Sequence, residues 1–291
     1  MEDVRRIARP RDGVLGDAHH GEVRTACRER LLELGFDTEE VPFEEESAAF
    51  GALHGINVIG RRRPEGATGP ALLLGAHYDS VSRCDGADDN SSGVAAVLEA
   101  ARVLSEVELT SPLVVACWDL EEWGLLGARN WARAHRDEVG LALNLESVGV
   151  RKREADTQEI PPGLAFGFPL EALAVTFAGS RGDFIALVAD ERASQASEVL
   201  ALAAQELAVP TVRLTLGDGQ KNEDTYSDLR RSDHAAFWEV DVPAVMITDT
   251  AEFRNPHYHC TNGPDAVSDL DAGFLTAVTT LTARAVMSLQ Q

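Results

Sequence analysis

Three apolar runs, residues 71–76, 113–118 and 141–145, each lead into groups that bind protons or cations: His77 and Asp79, then Glu121 and Glu122, then Glu146. The continuous run 113–118 is of the kind found in a sheet covered on both faces. If the three are neighbouring parallel strands, their carboxyl ends open on one crevice, the place where open α/β sheets hold ligands. Unpaired carboxylates gathered there raise one another's pKa, and a cation has to offset them. One pattern thus constrains both the layering of the fold and the chemistry at its edge.

The stretch 77–93, HYDSVSRCDGADDNSSG, carries one imidazole and four carboxylates, more than a turn needs. It leads into a helix over 94–104, with Ser91 or Ser92 available as the N-cap. Neutral imidazole and carboxylate donors, with no thiolate required, suit zinc or a similar divalent ion.

The rest of the chain continues an α/β alternation. A helix is expected over 20–35, closed by Gly35, followed by short strands at 36–43 and 55–60 and a basic turn at 61–70. A helix follows at about 125–135, and the polar, Pro-rich stretch 151–163 reads as a surface loop or insertion. Beyond it come strand 184–189, helix 194–208, strand 211–216, polar loop 217–228, short helix 232–240, strand 243–248 and a closing amphipathic helix over 271–289. With no repeat and no long linker, one domain over 1–291 is expected. The fold class is α/β, a three-layer αβα sandwich with a mixed, mainly parallel central sheet.

The net charge of −22 argues against nucleic acid and anionic membrane surfaces as partners. No apolar run approaches the roughly 20 residues of a membrane span. The first twenty residues contain no apolar core of a leader, so a cytoplasmic location is expected, or a secreted one if a leader has been removed. The four cysteines form no CxxC pair, which suggests a reducing compartment. Cys117 reads as core. Cys84 and Cys260 lie in loops that could approach each other; they either pair or remain two unrelated thiols, and the missing leader favours thiols.

HYDS at 77–80, ADDNSSG at 87–93, EEWGLLGA at 121–128, NLE at 144–146, SDH at 232–234 and NPHYH at 255–259 resemble, in order and spacing, the M28 family of zinc-dependent peptidases. The resemblance runs from about residue 55 to 270. It implies two co-catalytic zinc ions, with His77 and Glu146 on the first, Glu122 and His259 on the second, and Asp89 bridging them. It further implies that Asp79 orients His77, that Glu121 is the general base, and that Tyr258 donates a hydrogen bond to the oxyanion. Many relatives carry Asp where Glu146 stands. After the last His the family's Thr-Pro-x-Asp is replaced by the sequence from Cys260 to Asp265.

The implied activity is that of an exopeptidase, an aminopeptidase acting on peptides or amino-acid amides. A carboxypeptidase or other amidohydrolase of the same family, a one-zinc glutaminyl cyclase and a non-catalytic scaffold on the same fold stay open. The string Asp89-Asn90-Ser91-Ser92-Gly93 favours a peptidase over a cyclase, whose bridging position resembles D-S-A. Asp88 reads as a turn residue beside the ligand, and His19, His20, His54 and His135 as surface or locally bonded. His257, Asp233 and His234 read as local architecture, and Trp118, Trp123, Trp131 and Trp238 as packing, with Trp123 also able to line the site. Arg213 and loop 217–228 are candidates for contact with substrate termini. Oligomeric state is not specified by any of these features.

Overall fold

The computed structural model describes residues 1–290. Eight strands form one sheet: β1 (Asp37–Ser47), β2 (Gly51–Arg62), β3 (Ala71–His77), β4 (Leu113–Trp118), β5 (Val139–Glu146), β6 (Ile185–Asp190), β7 (Thr211–Leu216) and β8 (Ala244–Thr248), in the order β1-β2-β4-β3-β5-β8-β6-β7. Pairs β3/β4, β3/β5, β5/β8 and β6/β7 are parallel, while β1/β2, β2/β4 and β6/β8 are antiparallel. The mixed, mainly parallel sheet is as expected. Every residue of β3 and β4 is buried, as their unbroken apolar sequence demands.

Nine helices cover the sheet among the described residues: α1 (Glu2–Ile7), α2 (Ala18–Glu33), α3 (Gly93–Ser105), α4 (Leu126–His135), α5 (Pro162–Gly167), α6 (Pro169–Phe177), α7 (Ser194–Glu206), α8 (His234–Trp238) and α9 (Ala272–Leu289). Helices α1, α2, α3, α7 and α9 bury Val4, Leu31, Leu98, Leu200 and Leu281 in one core. Helices α4 and α8 bury Trp131 and Phe237 in a second core, packed against Trp118. The αβα layering follows from apolar residues on both faces of the central strands.

Several details differ from the expectations. The β1–β2 hairpin is longer than the two strands read from sequence, because its outer half is polar and carries no apolar alternation. Outer strand β1 carries Glu39, Glu40, Glu44, Glu45 and Glu46, charges of the kind that discourage edge-to-edge pairing. Helices α1, α5 and α6 are short and were not anticipated. Ser92 holds the N-cap position of α3 as expected, but without a side-chain capping bond: the chain enters through a wide helical turn at 87–92, and the Ser91 and Ser92 hydroxyls donate instead to Gly86 O and Asp88 O at 2.6 and 2.7 Å. Stretch 151–163 lacks regular structure until α5, as expected of a loop, yet it is anchored: Arg254 Nε donates to Gln158 Oε1 at 3.1 Å and Glu159 N to Phe253 O at 2.7 Å. No continuous apolar run of membrane-span length is present in α9 either, since Thr, Arg and Ser interrupt it. Its 18 residues, mean hydropathy 1.3, suffice to cross a membrane by length and composition alone, although 44% of them are buried against the rest of the fold.

Candidate metal centre

Strands β4, β3, β5 and β8 are consecutive and parallel, so their carboxyl ends share one crevice. His77 closes β3 and Glu146 closes β5. Glu121 and Glu122, expected on a strand end, lie in the turn that follows β4. The turn is held by Asp79, whose two carboxylate oxygens accept the backbone N–H groups of Glu121 at 3.1 Å and Glu122 at 3.2 Å. Asp79 Oδ1 also lies 3.3 Å from His77 Nδ1. One side chain thus fixes both the imidazole and the turn that carries the two glutamates.

Asp89 stands at the middle. Its Oδ1 is 3.1 Å from His77 Nε2 and its Oδ2 is 3.1 Å from His259 Nε2. His77 Nε2 is also 3.3 Å from Glu146 Oε2, and His259 Nε2 is 3.2 Å from Glu122 Oε2. Two three-residue groups, His77–Asp89–Glu146 and Asp89–Glu122–His259, therefore share one carboxylate, each with its donor atoms within 4.8 Å of one another. Glu121 Oε2 lies 3.9 Å from His77 Nε2, and His77, Glu121 and Glu122 form a third group whose donor atoms lie as close together.

Electrostatics point the same way. Burial, reinforced by neighbouring carboxylates, pushes the pKa of Glu121 well up, raises Glu146, and raises Glu122 to about 7. Burial opposes ionisation of Asp89 too, but the imidazoles of His259 and His77 hold it well below the usual carboxylate range. For His259, the carboxylates of Asp89 and Glu122 outweigh burial and push the pKa up to about 10. Despite these short contacts, the buried atoms His77 Nε2, Asp89 Oδ1 and His259 Nε2 make no hydrogen bond of proper geometry, which is costly for polar groups away from water. Imidazole nitrogens and carboxylate oxygens converging without partners are a donor set that fits one divalent cation in each group.

Three residues that support the candidate ligands were not singled out by sequence reasoning. The Asn90 amide donates to Leu145 O at 2.8 Å, and its oxygen accepts from the N–H groups of Gly93 and Ser147, both at 3.1 Å. Ser232 Oγ donates to Glu146 Oε2 at 2.7 Å and accepts from Asn144 at 2.8 Å. Asp265 accepts the backbone N–H groups of Asp88 and Asp89. Asn90 and Ser232 sit inside motifs already noticed. Asp265 comes 176 residues after Asp89, and no local pattern ties it to that loop.

Asp88 belongs to this scaffold, its Oδ1 accepting from Gly149 N at 2.9 Å. Asp233 is fully buried with neither oxygen hydrogen-bonded, and burial together with Glu146, Asp79 and Glu122 raises its pKa well above the ordinary value. His234 is bonded to Leu229 O at 2.9 Å and burial lowers its pKa to about 4, so it is a neutral architectural residue. His20 and His257 contact Asp119 and Asp269 at 2.7 and 2.8 Å. Trp123 donates to Asp12 and packs edge-on against Phe50 rather than lining the site. Arg213 bonds to Ser197 and Ser194 on α7, not to the crevice.

Cys84 and Cys260 form a disulfide, with Cα atoms 5.6 Å apart. The expectation of two unrelated thiols is corrected: the fold lays the loop before Asp89 against the loop that carries His259, close enough for the bond. His259 and Cys260 both have left-handed backbone, φ 53° and 57°, a conformation that tertiary constraints must hold in non-glycine residues. The unfolded protein without reductant is therefore expected to titrate only Cys27 and Cys117 as thiols, and four after reduction. Breaking the link is expected to lower stability by about 2–4 kcal/mol, measurable as a fall in Tm with dithiothreitol; four thiols without reductant would rule the bond out.

Beside Glu146 and Tyr258 a cavity of about 90 Å³ runs under α5 and α6, with walls that include Ile160, Leu164, Val175, Phe184 and Met246. Its lining also includes Glu159, Glu171, Asp228 and Glu252 and a single cation, Arg231. Arg231 is ion-paired to Glu252 and lies 3.9 Å from Asp228. Its guanidinium also donates to the Tyr258 hydroxyl at 3.4 Å. The Tyr258 ring stacks on His259 at 3.8 Å between centroids, and burial raises the phenol's pKa.

The model of Peptidase family M28 matches residues 57–286. The Escherichia coli (strain K12) protein YfbL is 32% identical over 210 residues, covering 66% of this chain and 59% of its own length. The chain thus spans less than two thirds of that relative. Among solved structures, the aminopeptidase from Aneurinibacillus sp. strain AM-1 matches with a TM-score of 0.72 at 15% identity, over 98% of this chain and 92% of that one. The glutaminyl cyclase of Porphyromonas gingivalis matches with a TM-score of 0.69 at 20% identity, over 99% and 96%. At these identities the likeness describes the fold, which the two enzymes share.

Proposed function

We propose, from the premise that the chain belongs to peptidase family M28, that it is a zinc aminopeptidase with one ion in each of the two groups that share Asp89. The carrying observation is that sharing: both Asp89 oxygens face an imidazole, with Glu146 completing one group and Glu122 the other. Two full ligand sets favour a peptidase over a one-zinc cyclase, and a complete donor set disfavours a non-catalytic scaffold.

When bound, the two cations supply Lewis acidity and bring the pKa of water toward neutrality. The chain's own residues do the rest. Glu121, 3.9 Å from His77 Nε2 and outside the two groups that share Asp89, takes the proton from the attacking water and returns it to the departing amine. Asp79 holds the backbone of Glu121 and the His77 ring in register. Because Arg231 donates to the Tyr258 oxygen, the phenol's own proton is free to be directed at a developing oxyanion.

The charges around the cavity support recognition of an amino terminus. A carboxypeptidase needs a free cation for the terminal carboxylate, whereas the one Arg here is engaged by Glu252. Carboxylates beside an apolar cavity instead suit an α-ammonium group carrying an apolar side chain. A peptide panel with free or acetylated amino termini and free or amidated carboxyl termini, run with chelator and with zinc restored, tests this. Cleavage is expected only with a free amino terminus and zinc, fastest for an apolar first residue. A requirement for a free carboxylate would replace the reading with a carboxypeptidase, and silence across the panel would reject both.

A further inference from the structure

Arg11 precedes the segment that the family match covers, yet it reaches the centre of the site. It is fully buried, and its five guanidinium N–H groups face five backbone carbonyls. Nε donates to Tyr78 O at 2.7 Å, Nη1 to Arg9 O at 3.2 Å and Asp85 O at 2.6 Å, and Nη2 to Gly86 O at 3.0 Å and Asp89 O at 3.4 Å. Its own N–H donates to Ser80 Oγ at 3.2 Å. Four of those carbonyls lie in the loop between His77 and Asp89, so the planar fork spans that loop from one end to the other.

Two further observations support a fitted arrangement. Gly86 has φ +55°, and a Cβ there would lie 2.3 Å from Asp89 O and 2.9 Å from Arg11 Nη2; the chain passes too close to the guanidinium for any side chain. None of the five acceptors is a carboxylate, yet the charges of Asp89, Asp79, Asp265 and Glu122 all act on it. A buried cation is expensive unless nearby anions offset it, and here the anions are the ligand Asp89, the ligand Glu122 and the carboxylates that hold their loops.

We propose that Arg11 is a positioning residue for the metal-bridging carboxylate: by binding the carbonyls of Tyr78, Asp85, Gly86 and Asp89 it sets where Asp89 presents its two oxygens, and so sets the affinity of the centre for its cations. This rests on the two-zinc reading above. The N-terminal segment is then part of the active centre, anchored by Val4 and Ile7 in the core.

The test compares the full chain with R11M and R11K. Zinc stoichiometry and affinity are measured by competition with a chromophoric chelator, Tm on the metal-free proteins, and kcat and KM on the zinc-loaded ones. Groups that support metal ligands typically change affinity by about 10–100-fold, and a loss of that size is expected in R11M for at least one ion, with kcat falling more than KM rises. R11K, with three donors for five carbonyls, is expected to recover part of the loss. A purely structural role would lower the metal-free Tm and leave the zinc affinity of the folded protein unchanged, and that result would overturn the proposal. If R11M does not fold, R11K carries the test, and wild-type affinity in R11K would be equally decisive against it. A wild-type protein that takes up no zinc would overturn the two-zinc reading and this proposal together.

Discussion

Replacing Glu121 by Gln is expected to reduce kcat by about 10²–10⁴-fold, the usual worth of a positioned acid–base group, with KM and zinc content little changed. Gln keeps the shape and leaves the backbone N–H that Asp79 holds at 3.1 Å, so the turn stays in place. It cannot accept a proton. In the metal-free protein burial is the main reason the pKa of Glu121 stands well above its ordinary value; cations bound beside it would favour the ionised carboxylate, the form that can take a proton. The two cation groups that share Asp89 do not require Glu121, so metal analysis separates lost chemistry from lost metal. Full turnover with bound zinc in E121Q would end the general-base assignment.

Removing zinc is expected to abolish turnover, and zinc affinity is expected to rise with pH. In the metal-free protein Glu122 stands at about 7 and His259 at about 10. Zinc bound by both groups would displace both protons, so below pH 7 affinity is expected to gain up to about tenfold per pH unit for each proton released. Stability follows with a definite sign. Both groups bind protons more tightly folded than their ordinary values of 4.5 and 6.5 allow. Their contribution is complete below those values and is lost as pH rises through about 7 for Glu122 and about 10 for His259. Asp89, shifted downward, acts only in stronger acid. The metal-free Tm should therefore fall from pH 5 to 8 while the rise in Tm caused by zinc grows. Melting curves with chelator and with zinc at each pH check this, and a zinc-induced shift independent of pH would refute it.

Local signals carried much of the fold. The unbroken burial of β3 and β4 was legible because a central strand needs apolar side chains on both faces, whichever strands lie beside it. The same is true of the ligand candidates: His77, Glu121, Glu122 and Glu146 follow apolar runs, and their chemistry shows in one dimension. What escaped did so for separate reasons. Helices α5 and α6 are too short for a period of 3.6 residues to stand out. Ser92 takes the N-cap position, but the hydroxyls of Ser91 and Ser92 bond to carbonyls within the wide turn that carries Asp89 rather than to the first N–H groups of the helix.

By itself, then, the sequence determined the alternation of elements, the residue types at each strand end, and the family whose motifs it carries. Those are properties of short windows, where burial and chemistry depend on neighbours along the chain. Tertiary structure decided which groups meet. Sharing of Asp89 between His77 and His259, the Cys84–Cys260 bond, the support of Asp89 by Asp265 and the reach of Arg11 into the 77–89 loop all join residues far apart in sequence. Closing such distances costs chain entropy, and only the packed sheet and its two helix layers recover it, so no short window by itself shows these contacts, although the family resemblance implied the shared Asp89.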